Sequence, residues 1–231
     1  MKFTKKLLLG TMSLGILCCS CQKDLVEYQN GDMKITVTAG KEWKHDFSMF
    51  LGLKKKNPPQ IALWLEDMEG NYLSTLYVSH KTGTSSWQGN GGDPRNEALP
   101  YWNHKSSHVT GKKFPDAVSG ATPKEDFDIK MLPNKNLEKF RIKAEFNHST
   151  DWNEYYPESA KAGDENYTAE SGQPAVVYEA IIDLTSGQEE LKAQIIGHSS
   201  PDGTTGELYT DLSKLTTAVD IVKEITIKRI K

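Results

Sequence analysis

Residues 140–146 read Phe-Arg-Ile-Lys-Ala-Glu-Phe, a strict alternation of apolar and charged side chains. Successive side chains of a β-strand point to opposite faces of a sheet, so this pattern predicts a strand with one buried face. The same two-residue period recurs along the rest of the chain, in segments 33–37, 61–65, 72–78, 127–131, 175–184, 191–195 and 221–230. Together these segments predict an all-β chain of about eight strands.

Eight strands joined by turns predict a single-domain antiparallel β-sandwich, immunoglobulin-like in outline, over residues 31–231. A β-barrel is the alternative. Residues Glu69-Gly70-Asn71 lie between two of the strands and read as a hairpin turn. No window of a dozen residues has the apolar stripe of a helix, and only residues 211–218 favour a short helical turn.

Two connections, residues 80–126 and 147–174, are too long for ordinary hairpins. Both contain several Trp and Tyr residues, and such composition is unusual in chains that stay unfolded. We therefore predict two long ordered loops, packed together at one end of the sandwich, where loop-borne functions concentrate.

The first 21 residues have the composition of an export signal. A basic start with Lys2, Lys5 and Lys6 precedes an apolar run that is too short to span a bilayer. The run ends in Cys18-Cys19-Ser20-Cys21, and these are all the cysteines of the chain. A small residue followed by Cys resembles the lipobox of bacterial lipoproteins, with Cys18 in place of the usual aliphatic residue.

This resemblance implies a lipoprotein signal peptide at 1–21, a tether at 22–30, and a lipid on Cys21, with Cys19 as the alternative acceptor. A plain cleaved signal is the other interpretation. The lipoprotein reading places the protein in the periplasm or at the cell surface of a Gram-negative bacterium, attached to a membrane by its lipid.

Composition excludes several classes of protein. The net charge is −3, with acidic and basic residues interspersed, which argues against a nucleic-acid partner. The three clustered cysteines leave no disulfide framework, thiolate nucleophile or cysteine zinc site for the folded domain.

Residues 116–123 read Asp-Ala-Val-Ser-Gly-Ala-Thr-Pro. This stretch resembles the target motif of bacterial flavin transferases in FMN-binding domains of exported redox subunits. The resemblance implies that Thr122 accepts FMN through a phosphoester bond, with FAD as donor and a metal ion assisting. The other matching positions are Asp116, which would be a recognition residue, and Ser119, Gly120 and Ala121.

The motif also departs from that family. A hydroxyl residue usually stands two places after the threonine, whereas Pro123 and Lys124 follow here. Pro123 also biases Thr122 toward extended backbone. The alternative is that the stretch is a tight structural turn without modification.

A flavin ring needs an aromatic or apolar shelf, and Trp102 and Tyr101 lie in the same long connection as Thr122. Trp87 is a further candidate, and Trp152 and Tyr155 of the second connection could form the opposite wall. The alternative is that these rings fill a small core beneath the loops.

The chain between residues 45 and 230 resembles a family of predicted periplasmic proteins of unknown function, domain-of-unknown-function family 2271. The residues that carry the resemblance lie in segments 57–67, 70–73, 76–78, 81–82, 98–102, 116–123, 172–178 and 215–218. The resemblance implies an exported single domain without an established activity. Genes of that family are often associated with flavin-transferase systems.

His104 and His108 have the spacing of two zinc ligands on one face of a helix. Their polar surroundings and the following Gly111 predict a loop instead, and no third ligand is marked, so we predict no metal site. His148 and His198 are interpreted as ordinary polar residues at strand ends.

Two functional hypotheses follow. The first is an exported, lipid-anchored electron-transfer protein that carries FMN on Thr122 and acts as a redox carrier without turning over a substrate. Its partners would be a flavin transferase and a membrane redox partner or other envelope protein. The second is a cofactor-free β-sandwich that serves as a binding or assembly module of the cell envelope.

Overall fold

Two β-sheets form the body of the protein in a computed structural model, which describes residues 24–27, 32–48, 54–84, 95–110, 119–131 and 137–230. The predicted signal peptide, Cys21, Trp87 and Asp116 lie outside the described residues, as does the side chain of Ser119.

The first sheet has five strands, which we number in chain order. Across the sheet they are β1 (Asp24–Glu27), β8 (Phe127–Met131), β2 (Met33–Ala39), β13 (Val222–Arg229) and β11 (Glu190–Lys192). Neighbouring strands are antiparallel except β1 and β8, which are parallel. Strand β1 lies within the segment predicted as a tether, so part of that segment joins the sheet.

The second sheet has six strands. Across it lie β12 (Gln194–His198), β10 (Val176–Asp183), β9 (Lys139–Asn147), β5 (Gln60–Glu66), β6 (Tyr72–Ser79) and β7 (Ser119–Gly120). All pairs are antiparallel except β6 and β7. A separate hairpin joins β3 (His45–Ser48) to β4 (Lys54–Asn57), and the helices are α1 (His80–Thr84), α2 (Pro100–Thr110) and a 3-10 turn at Ala218–Asp220.

The main core lies between the two sheets. In β9, Phe140, Ile142, Ala144 and Phe146 all face this core, as the alternating pattern predicts. Alternate apolar residues of β2, β8 and β13 meet them from the other sheet. The prediction of an all-β sandwich is confirmed, and the described residues form no closed barrel.

Helix α2 adds a further layer on the outer face of the six-stranded sheet. Its Tyr101 and Trp102 pack in a second apolar cluster with Trp64 of β5. Strand β5 is consequently buried on both faces. The sequence predicts a loop here, and that prediction is wrong because the helix is stabilised by distant residues.

The Glu145 carboxylate provides that stabilisation, since it accepts hydrogen bonds from the first free N–H groups of α2. Its Oε1 lies 3.2 Å from the Tyr101 nitrogen and its Oε2 lies 2.8 Å from the Trp102 nitrogen. Pro100, at the first helical position, lacks an N–H that would need a partner. A side chain from β9 thus replaces the local capping residue that sequence patterns require.

The alternating segment 191–195 is the second difference from prediction. Its pattern predicts one strand, but β11 ends at Lys192 in one sheet and β12 begins at Gln194 in the other. The intervening Ala193 donates its N–H to the Ile225 carbonyl. Both strands line the same core, so the apolar period continues across the crossing.

The two long connections contact each other through Arg95, which is buried. Its guanidinium donates to Glu97 on its own connection and to Ser149 and Ser171 on the other. Ser171 in turn donates to the Glu97 carbonyl. This network agrees with the expectation that the two connections pack together. In the described part of the chain, no helix has the length and apolar composition to cross a membrane.

Candidate functional site

Thr122 follows the short strand β7 at the edge of the six-stranded sheet. The Tyr77 hydroxyl lies 3.2 Å from the Ala121 carbonyl oxygen and 3.4 Å from that of Gly120, and so holds the turn from the core side. A Cβ at Gly120 would lie only 3.2 Å from the Tyr77 ring. Glycine at this position therefore permits the close approach between the turn and the tyrosine.

Pro123 anchors the other side of Thr122. It is buried, and its carbonyl accepts a hydrogen bond from the Trp43 indole N–H at 3.3 Å. The Trp43 ring packs in the core against Phe127 and Phe146, each with a centroid distance of 6.1 Å. Pro123 thus contributes a fixed contact to the core. Thr122 is held between two backbone segments that are each tied to a core aromatic residue.

The Thr122 side chain is partly exposed and its hydroxyl forms no hydrogen bond to any residue that the structure describes. It lines a cavity of about 180 Å³, which we call the Thr122 cavity. The other lining residues are His45, Asn57, Pro58, Gln60, Lys81, Asn147, His148 and Ser149. Among these described residues there is no carboxylate, and Lys81 is a cation. The composition of the lining favours an anion over a cation.

Gln60 presents a hydrogen-bond donor to this cavity. Its Oε1 accepts hydrogen bonds from Ser79 at 2.8 Å and Thr82 at 3.0 Å. These two hydroxyls fix the orientation of the amide, so the Nε2 end is the one that remains for a ligand. The described residues supply no acceptor for it.

His148 is a neutral residue at neutral pH because burial lowers its pKa to about 4. His148 directly follows the end of β9, as the interpretation as a strand-end residue expects, and it is buried there, at 3% exposed. The Nε2–H donates to the Glu42 carbonyl at 2.8 Å, which leaves Nδ1 as an acceptor. His198 is also buried, at 5% exposed.

The His45 ring lies against His148, tilted by 33° with ring centroids 5.3 Å apart, and connects the cavity to a buried carboxylate. Its Nε2 lies 3.2 Å from the Thr150 carbonyl oxygen and its Nδ1 lies 3.8 Å from Oδ1 of Asp151. Burial raises the pKa of Asp151, and its Oδ2 has no partner in the described structure. His45 therefore lies between two oxygen atoms, the Thr150 carbonyl and the Asp151 carboxylate.

Tyr101 and Trp102 do not line the Thr122 cavity. Tyr101 is 9% exposed and lies against Trp64, and Trp102 is 3% exposed and donates its indole N–H to Thr75 at 2.9 Å. Burial raises the pKa of Tyr101 to about 12. Both rings belong to the small core beneath α2, as the alternative interpretation predicts, and the structure does not bring them together with Thr122 in one cavity.

The remaining candidates lie elsewhere. His104 is on α2, where its Nε2 is 3.3 Å from the Gly203 carbonyl oxygen, and the side chain of His108 is outside the described residues. Tyr155 and Trp152 lie in the second connection and do not line the Thr122 cavity. The described residues contain no group of three side chains suited to hold a metal ion.

Comparisons with known proteins give no further identification: no protein-family model, curated protein or solved structure matches this chain. The resemblances described above therefore stay predictions.

Sequence reasoning missed His45, Gln60 and Asp151. They come from β3, β5 and the second long connection, and no local spacing relates them. The only available signal was that residues 147–151 directly follow the most strongly patterned strand, at the end where the long connections meet.

Proposed function

We propose that this chain is an exported electron-transfer protein that carries FMN on Thr122 and is attached to a membrane through a lipid on Cys21. The observation that carries the proposal is the state of the Thr122 hydroxyl. Thr122 is partly exposed and lines a cavity whose composition favours an anion, and its hydroxyl has no hydrogen-bond partner among the described residues. A hydroxyl that serves only to close a turn would be hydrogen-bonded to that turn.

The residues around Thr122 fit a phosphate group. The cavity offers the Gln60 amide N–H groups and the Asn57 side chain as donors, and Lys81 contributes a positive charge to its lining. Its volume of about 180 Å³ is below the roughly 300–1,000 Å³ of clefts that enclose a drug-sized ligand. The proposed attachment therefore uses this cavity for the phosphoester and leaves the flavin ring outside it.

The attachment step follows the transferase chemistry that the motif implies. The Thr122 oxygen forms a bond to the FAD phosphorus nearer the flavin, the pyrophosphate bond breaks, and AMP leaves while the hydroxyl proton is lost. The transferase and its metal ion supply the catalysis, so this chain needs only a rigid and accessible hydroxyl. Tyr77 and Trp43 support that requirement because they fix the backbone on both sides of Thr122.

When bound, FMN supplies one- and two-electron transfer. The role of the chain is then to hold the phosphoester beside the donors of the Thr122 cavity and to keep the flavin at one place on an anchored protein. This role fits a carrier between a membrane redox partner and an acceptor outside the cytosol. Tyr101 and Trp102 do not serve as the aromatic contact for the flavin ring in this proposal, because their rings are buried beneath α2.

The test is co-expression of the full chain with a flavin transferase, followed by intact-mass measurement and a denaturing gel under ultraviolet light. The wild-type chain should gain the mass of one FMN less one water and give a fluorescent band. Thr122→Val should lose both and keep the wild-type thermal unfolding midpoint, because the hydroxyl has no partner to lose. Thr185→Val, at an exposed turn threonine, should remain flavinylated. A wild-type chain without added mass, or a flavinylated Thr122→Val, would refute attachment at this residue.

The second hypothesis, a cofactor-free binding module, gains one specific observation from the structure. A cleft lined by tyrosines lies apart from the Thr122 cavity, and it can be tested whether or not flavin is attached.

A further inference from the structure

A cleft of about 510 Å³ lies between the second long connection and the segment that follows β12. Four tyrosines line it: Tyr155, Tyr156, Tyr167 and Tyr209. We call this feature the tyrosine cleft. Its volume lies within the roughly 300–1,000 Å³ typical of small-ligand sites. It shares no lining residue with the Thr122 cavity.

Three of the four tyrosine rings make defined contacts with a neighbouring ring. Tyr155 and Tyr156 meet edge to face with centroids 5.0 Å apart. On the other side, Tyr209 stacks on His198 at 5.4 Å with an angle of 11° between the rings. Backbone hydrogen bonds in both directions join His198 and Tyr209 at 2.8 Å. Tyr209 is nevertheless 38% exposed, so an aromatic surface is built and left open to solvent.

The charge of the lining is strongly negative. Four carboxylates, Asp164, Glu165, Asp202 and Asp211, stand against a single ammonium, that of Lys214. His198 adds no positive charge at neutral pH because burial lowers its pKa. Hydrogen bonds from Ser213 lower the pKa of Asp211, which therefore stays ionised. An anionic ligand would be repelled by this lining.

Lys214 shows that the face of the Tyr155 ring can bind an ammonium group. Its Nζ lies 5.0 Å from the centroid of the Tyr155 ring, within the range of a cation–π contact. The Tyr155 hydroxyl donates to Glu165 at 2.8 Å, so the ring is oriented by one carboxylate while its face receives an ammonium. The protein's own lysine thus occupies one position that a cationic ligand could take.

We propose that the tyrosine cleft binds an alkylammonium group, presented by a lysine-rich peptide segment or by a free polyamine. Aromatic faces and net negative charge together recognise such a group, since each attracts a cation by a separate mechanism. In a cleft of this kind Lys214 acts as an internal competitor, because it occupies the Tyr155 face and offsets one carboxylate. This inference does not depend on FMN at Thr122.

Binding is tested by isothermal titration of the full chain with three probes: tetralysine peptide, spermidine, and a neutral cello-oligosaccharide. Tetralysine or spermidine should bind and the oligosaccharide should not, and whichever cation binds more tightly identifies the source of the ammonium group. Affinity for the cation should fall as salt is raised. Tighter binding of the oligosaccharide than of either cation would overturn the proposal in favour of a glycan site.

Variants separate cation–π recognition from general attraction to an acidic surface. Lys214→Met should raise the affinity for the cation about threefold or more, and Tyr155→Leu should lower it about two- to fivefold, the range of an exposed cation–π contact. Tyr155→Phe keeps the ring face and should bind within about twofold of wild type. Glu138→Gln removes an exposed carboxylate outside the cleft and should have no effect. Equal affinities for all four variants, or weaker binding by Lys214→Met, would overturn the proposal.

Discussion

Two buried groups near the end of β9, Glu145 and His148, should make opposite contributions to the pH dependence of stability. Burial raises the pKa of Glu145 from 4.5 to about 7 and lowers the pKa of His148 from 6.5 to about 4. Each pKa therefore differs by about 2.5 units between the folded and unfolded chain, and one pKa unit corresponds to about 1.4 kcal/mol. Each group thus changes the free energy of unfolding by about 3 kcal/mol across its pH range.

The two signs follow from proton binding. Between pH 4.5 and about 7, Glu145 is protonated more often in the folded chain than in the unfolded chain, so its contribution to the free energy of unfolding is lost as pH rises. Between about pH 4 and 6.5, His148 is protonated more often in the unfolded chain, so its contribution is lost as pH falls. In the wild-type protein, the two changes in the free energy of unfolding largely cancel between about pH 4.5 and 6.5, where both groups titrate.

Single substitutions should reveal each dependence, measured by urea unfolding at half-unit steps from pH 4 to 8. Relative to wild type, the free energy of unfolding of Glu145→Gln should rise by about 3 kcal/mol between pH 4.5 and 7. That of His148→Gln, whose amide can still donate to the Glu42 carbonyl, should fall by about 3 kcal/mol between pH 4 and 6.5. Difference curves of the same sign, or flat curves for both variants, would refute the assignment of burial as the cause.

Two further predictions concern the Arg95 network that joins the two long connections and the glycines at positive φ. Arg95→Met should lower the free energy of unfolding by about 3–5 kcal/mol, because it leaves the Glu97 carboxylate buried without this ion-pair partner. Arg95→Lys keeps the positive charge and should lose less, and equal losses for the two variants would contradict the ion pair with Glu97 as the cause. Gly172→Ala should cost at least about 3 kcal/mol, since its φ is 78° and a Cβ would lie 2.4 Å from the Asp151 carbonyl carbon. Gly187→Ala, at φ 72° with open space around it, should cost only about 1–2 kcal/mol, and chemical denaturation should show this gap between the two glycines.

The sandwich was predictable because its strands each present one chemically distinct face to a shared core. The pattern at 140–146 identifies β9 and its inward residues correctly. The same pattern shows Lys143 and Glu145 facing outward but cannot show that α2 covers them, so that both are buried. Alternation in the sequence predicts which face of the sheet a side chain lies on. It does not predict which other elements pack against that face.

Helix α2 and the Thr122 cavity were not predictable for a related reason. The helix has few strong helix formers, and its N-terminus is satisfied by Glu145, more than 40 positions further along the chain. The cavity combines side chains from β3, β5, α1 and both long connections. No spacing in the sequence brings these residues together. The motif at 116–123 could be found because its residues are contiguous, whereas the cavity beside it required the fold.

The pairing of β7 with β6 has a consequence for association between chains. β7 is the outermost strand of the six-stranded sheet and covers the last two residues of β6. The third residue after β7 is Pro123, which has no N–H to offer an incoming strand. The motif segment therefore blocks one end of a sheet edge that could otherwise template the addition of a second copy. Loosening this turn should expose that edge, so we expect the residues that present Thr122 to limit edge-to-edge aggregation as well.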